Sequence, residues 1–83
     1  MDYVFTPHAR KRMIERSIVE DFIHKAIEDP AIIVFDHKGR KMIKKLYRKQ
    51  KKERLLLIIA EELFVDVIKI ITVIDTSKVK KYL

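Results

Sequence analysis

From Val19 to Ile27 the apolar positions Val19, Phe22, Ile23, Ala26 and Ile27 recur at helical spacing, with His24, Lys25 and Glu28 on the other side. Ser17-Ile18-Val19-Glu20 precedes this face and reads as a capping box that opens a helix. Asp29-Pro30 ends it, because a residue before proline resists the helical region. Upstream, Thr6-Pro7 supplies a hydroxyl N-cap followed by proline at the first helical position, which predicts a helix from Pro7 to about Arg16. Ala9 and Met13 are its inward candidates, and the two helices form a hairpin with almost no loop.

After Pro30 the period changes. Residues 31–36, Ala-Ile-Ile-Val-Phe-Asp, are β-branched and too short for a helix, so they predict a strand. His37-Lys38-Gly39-Arg40 carries the glycine that a tight hairpin uses. Lys41 to Arg48 predicts a second strand, with Ile43 and Tyr47 on one face and Met42 and Leu46 on the other. Lys49-Gln50-Lys51-Lys52 is a basic turn, and Arg54 to Ala60 is apolar on both faces, as in a central strand. Glu61-Glu62 marks the next turn, and a long strand then reaches about Asp75. The tail from Thr76 to Leu83 forms a short helix or a basic arm. The expectation is a single α+β domain over residues 1–83, two N-terminal helices packed on a four-stranded antiparallel sheet.

Composition adds a clue about the partner. Nineteen Lys and Arg against twelve Asp and Glu leave a formal charge of +7 on 83 residues. That balance favours phosphate backbones or anionic lipid surfaces, although a lysine-rich surface also arises without any partner. The absence of Asn, the single Gln and the thirteen Ile fit a thermophile, whose proteins accumulate lysine for thermal reasons. No cysteine is present, so disulfides and thiolate metal clusters are excluded. The longest apolar run, Leu55 to Ala60, is too short to cross a bilayer, and the N-terminal residues lack the apolar core of a secretion signal. A soluble cytoplasmic protein without membrane contact is expected.

The first helix carries the most chemistry. His8, Arg12 and Arg16 stand at i, i+4 and i+8 and share one face. An imidazole beside two guanidiniums suits phosphoryl chemistry, offering a proton-transfer group and fixed charge for developing anionic oxygens. RNA cleavage needs no metal in such a site, because the ribose 2′-OH is the nucleophile. A solvated helix face with a capping histidine explains the same spacing. His8, His24 and His37 lie on separate elements and form no metal-ligand motif. No cofactor loop is present either. Lys45 and Arg48 flank Tyr47, so an aromatic for base stacking sits among cations for phosphates, a pattern that Lys81 and Tyr82 repeat. Edge strands also carry lysine merely to block aggregation. Thr72 is a lone hydroxyl in an apolar strand.

Phe5-Thr6-Pro7-His8-Ala9, Arg12-Met13, Glu15-Arg16, Ile18, Glu20-Asp21, Ala26 and Asp29-Pro30, with a closing Ile71-Thr72-Val73, Thr76-Ser77 and Lys80-Lys81-Tyr82-Leu83, resemble a family of small uncharacterised bacterial and archaeal domains. That family is similar to the RelE/ParE-like toxins, including the BrnT branch, and to the barnase–EndoU–colicin–RelE nuclease fold. The resemblance implies a RelE-like sheet under helices and a ribonuclease site around its exposed face. It sets the recurrent His and Arg positions on His8, Arg12 and Arg16, and the late hydroxyl on Thr72. Where the family usually has glycine between the helices, this chain has Ser17. The functional expectation is a toxin-like, metal-independent endoribonuclease with His8, Arg12 and Arg16 as catalytic residues. Lys45, Tyr47, Arg48, Thr72, Lys81 and Tyr82 would hold the RNA, and a small antitoxin protein would be its partner. The alternative is a non-catalytic nucleic-acid-binding or protein-interaction module using the same basic surface.

Overall fold

The computed structural model describes residues 2–36 and 38–83, so the His37 position of the expected turn lies outside the described residues. In chain order the elements are β1 (Asp2–Phe5), α1 (Pro7–Glu15), α2 (Glu20–Glu28), β2 (Ile32–Phe35), β3 (Lys41–Lys49), β4 (Lys52–Phe64), β5 (Val67–Thr76) and α3 (Val79–Tyr82). The strands form one sheet in the order β1-β5-β4-β3-β2.

The fold is α+β, but the expected four-stranded antiparallel sheet under two N-terminal helices is corrected. The described chain opens with a strand, and β1 pairs parallel to β5, Tyr3 against Ile68 and Phe5 against Ile70, giving a five-stranded mixed sheet. Tyr3 and Phe5 alternate with Val4, so one side of this short strand reaches the core.

A second correction concerns the turn at Glu61-Glu62. Both residues lie inside β4, which continues to Phe64, and the reversal falls at 65–66. Local turn propensity is overridden there by cross-strand charge pairing: Glu61 stands opposite Lys69, and Glu62 forms an ion pair with Lys41.

The third correction is at Ser17. It caps no helix; α2 begins at Glu20 behind Val19, whose side chain makes no capping bond. Ser17 instead takes a left-handed conformation, φ 55°, at the end of α1. The Ile18 amide donates to the Met13 carbonyl at 2.8 Å and the Ser17 amide to Ile14 at 3.3 Å. This is the Schellman pattern, and its accompanying apolar contact is supplied by buried Met13 and Ile18. Val19 consequently leaves the expected apolar face and is 64% exposed.

The main core lies between the helices and one sheet face. Ala9 and Met13 of α1, Ile23 and Ala26 of α2, and Ile43, Leu56, Ile58, Ile70 and Val73 of the sheet form one buried cluster. Each fully buried large side chain contributes about 1.5–3 kcal/mol of transfer free energy. β4 is the central strand expected from its sequence, and Leu55 to Ile58 are all buried. On the opposite face α3 packs against β4, and the Lys44 Nζ donates to the Tyr82 carbonyl at 2.6 Å.

The hairpins follow their turn chemistry. Gly39 has φ 80°, and Asp36 Oδ1 accepts from the amides of Lys38 and Arg40. Gln50 and Lys51 have φ 53° and 67°, the two positive values of a type I′ turn, and fix the register Lys49 to Lys52 and Tyr47 to Arg54.

Candidate nucleic-acid interface

β1 ends opposite Ile70, and Thr6 turns the chain off the sheet into α1. The Thr6 hydroxyl accepts from the Ala9 amide at 3.0 Å and donates to the Ile71 carbonyl at 2.7 Å. One side chain therefore caps α1 and fastens it to β5. Ile71 is the extra residue of a bulge, since Ile59 and Ala60 face Thr72 and Ile70. Bulges re-aim side chains at sheet edges. Here α1 packs along the part of β5 that lies beyond β1.

The result is a cleft of about 450 Å³ lined by His8, Arg12, Arg16, Thr72, Val73, Ile74 and Asp75. The structure thus brings together all three expected catalytic residues and one expected substrate-binding residue. His8 and Arg16 are exposed and Arg12 is half-buried. Arg12 lies 3.6 Å from Glu15, an exposed pair worth little on its own. The other basic face of α1 is structural: Arg10 covers the Phe5 ring at 4.4 Å and pairs with Glu20.

Five expected substrate-binding residues lie outside this cleft. Lys45 points to the helix face and donates to the Asp29 carbonyl at 2.6 Å, closing the end of α2. Tyr47 packs edge-on against Phe22 at 4.9 Å and donates its hydroxyl to Asp75. Its hydroxyl is engaged and one ring edge is packed, so in this arrangement Tyr47 has a structural role, and it does not line the cleft. Arg48 is exposed and donates to the Lys51 carbonyl at 3.2 Å in the β3–β4 turn. Lys81 and Tyr82 sit on α3, with the Lys81 Nζ 5.3 Å from the Tyr82 ring centre.

Sequence reasoning missed the cluster beneath the cleft. Asp75 accepts from Tyr47 and from the Arg54 Nε, the latter at 3.0 Å, and its side chain is 5% exposed. Burial alone would raise the Asp75 carboxyl, but the hydrogen bonds from Arg54 and Tyr47 outweigh it and hold it below the ordinary range. Burial, then the bond to Asp75, pushes the Tyr47 hydroxyl up to about 12. The available signal was the basic turn: centred on residues 50–51, it places Tyr47 opposite Arg54.

A second, polar cleft of about 420 Å³ adjoins the first, since Arg16 and Asp75 line both. Its other walls are Glu15, Ser17, Lys49, Gln50, Lys52 and Arg54. A separate apolar pocket of about 270 Å³ near the end of α2 contains none of the expected site residues. His24, expected on the solvent side of α2, stacks on Tyr3 with centroids 4.2 Å apart. Among the described residues no helix is long and apolar enough to cross a membrane.

No curated protein and no solved structure matches the chain with significance. The comparisons give no link to RelE/ParE-like or BrnT-like toxins. Residues 5–80 match a family described as a domain of unknown function, DUF4258. The match takes in α1, the bulge of β5 and every wall of both clefts, and on that span the chain belongs to the DUF4258 family.

Proposed function

We propose that this chain acts on RNA at the cleft between α1 and β5, as a toxin-like, metal-independent endoribonuclease. The observation that carries this reading is the convergence of His8, Arg12 and Arg16 with Thr72, a residue from the far end of the chain, on one open cleft. In the reaction the 2′-oxygen attacks the adjacent phosphorus and the bond from phosphorus to the 5′-oxygen breaks. His8 takes the 2′-proton, and the leaving 5′-oxygen gains a proton from His8 or from water. Arg12 and Arg16 stabilise the charge that builds on the phosphoryl oxygens, and Thr72 supplies a hydrogen-bonding hydroxyl. A small antitoxin-type protein belongs to this reading, since a free ribonuclease harms its host.

A second reading, a module that holds RNA without cutting it, has one observation in its favour. Tyr47 and Asp75 are locked to one another and to Arg54, which leaves His8 as the proton-transfer group lining the cleft. Cleavage and retention of one RNA, measured together for wild type and His8→Ala, separate the two. The first reading expects cleavage to vanish in the variant while retention stays within about twofold. Salt-sensitive retention with no cleavage by the wild type assigns the second.

A further inference from the structure

We infer that the second cleft, walled by Arg16, Lys49, Lys52 and Arg54, is a phosphate subsite that makes the substrate a single-stranded oligonucleotide rather than a mononucleotide or a lone phosphoester. This rests on the reading of the α1 cleft as an RNA site. Three observations support it. Arg16 and Asp75 line both clefts, so the two adjoin and Arg16 is within reach of a strand that runs from one to the other. The Arg54 guanidinium is paired through its Nε with Asp75, whose side chain is almost fully buried, so its position is fixed although its charge is partly offset. Lys49 and Lys52 face each other beside the two-residue turn at the tip of the β3–β4 hairpin, whose conformation sets their spacing.

The span also argues for several nucleotides. From His8 to Arg16 the helix rises roughly 12 Å, more than one phosphate reaches, and the second cleft begins only there. A ligand touching His8 and Lys52 together therefore presents consecutive phosphates. Single-stranded backbone fits this better than duplex, because the path runs beside a strand edge and around a helix end rather than over a broad face. Lys49 and Lys52 act as positioning groups, setting which phosphate lies beside His8.

The test is a binding series with 2′-O-methyl oligonucleotides, which cannot be cleaved through the 2′-oxygen. Chains of two and of eight nucleotides are titrated into wild type, Arg12→Ala, and the double variant Lys49→Ala with Lys52→Ala. The three Ala positions lie on exposed or half-exposed side chains, and circular dichroism verifies the fold. The subsite predicts that the double variant binds the octamer on the order of tenfold more weakly at 0.1 M salt and has a shallower salt dependence, by about 1.4 in slope. The dinucleotide, which fills only the α1 cleft, is bound as by wild type. Octamer binding unchanged in the double variant but weakened in Arg12→Ala overturns the subsite and leaves the α1 cleft standing. The opposite pattern overturns the α1 cleft as the RNA site, and with it the subsite as part of a strand that passes His8. Wild-type protein that holds neither chain overturns both.

Discussion

The Thr6 hydroxyl donates to the Ile71 carbonyl at 2.7 Å, joining the residue that starts α1 to the bulge that precedes Thr72. His8 lies two residues beyond one end of this bond and Thr72 one residue beyond the other. The same oxygen caps the helix through the Ala9 amide. A stability element and the alignment of the candidate site therefore share one atom.

Replacing Thr6 by Ala removes both bonds, at a cost of about 1–3 kcal/mol for a lost cap and a lost interior hydrogen bond. A domain this size then melts roughly 4–8 °C lower per kcal/mol lost. Thr6→Ser keeps the hydroxyl and is expected to melt close to wild type. Equal melting of the Ala and Ser variants in a thermal scan would show that the bond contributes nothing.

The Tyr47–Asp75–Arg54 cluster gives stability two pH edges. The Asp75 carboxyl is held low in the fold, so its contribution is present above the unfolded value of about 3.9 and is lost as pH falls through the folded value. The Tyr47 hydroxyl is raised, so its contribution is complete below the unfolded value of about 10 and is lost as pH rises towards 12. Urea midpoints measured across pH are expected to show a flatter acid limb in Asp75→Asn and a flatter alkaline limb in Tyr47→Phe. Both variants are also less stable at neutral pH. Limbs that keep the wild-type slopes would remove the cluster from the pH response.

Ser17, Gln50 and Lys51 all take positive φ, a region that costs a side-chain-bearing residue about 1–2 kcal/mol. Ser17→Gly, and Gln50→Asn with Lys51→Gly, are each expected to stabilise by about 0.5–1 kcal/mol, read as a higher urea midpoint at unchanged slope. Ser17→Val moves the midpoint the other way. A drop for Ser17→Gly would contradict the Schellman ending of α1.

Strand β2 is an edge made of four apolar residues, all exposed, with Phe35 at 64%. Such an edge lacks the lysine or proline that prevents sheet-to-sheet growth. Val34→Lys is expected to raise the concentration at which the protein stays monomeric in light scattering, with stability changed by less than about 0.5 kcal/mol. Unchanged self-association would show that the edge is already protected.

How much of this was visible in the sequence depended on the range of the deciding interaction. Thr6-Pro7 and the face shared by His8, Arg12 and Arg16 are set within one helix, so spacing alone found them. Thr72 stood out as a hydroxyl among apolar neighbours, but its place in the cleft depends on the bulge at Ile71. Strand β1 escaped because four residues carry little periodicity and its partner Val67–Ile70 lies more than sixty positions away. Ser17-x-x-Glu20 satisfies a capping box on paper, yet burying Met13 and Ile18 together favours the Schellman ending. Tyr47 read as a free aromatic among lysines, and only strand register shows it opposite Arg54 and within reach of Asp75.

On the proposed mechanism His8 cuts RNA through the 2′-oxygen, and the chemistry of the ends left behind decides it. An RNA with long unpaired segments is incubated in EDTA with wild type and with His8→Ala, and the fragment termini are identified. Wild type is expected to leave 2′,3′-cyclic phosphate and 5′-hydroxyl ends, and the variant to leave the RNA intact. Ends bearing 5′-phosphate, or equal cutting by both proteins, would contradict it.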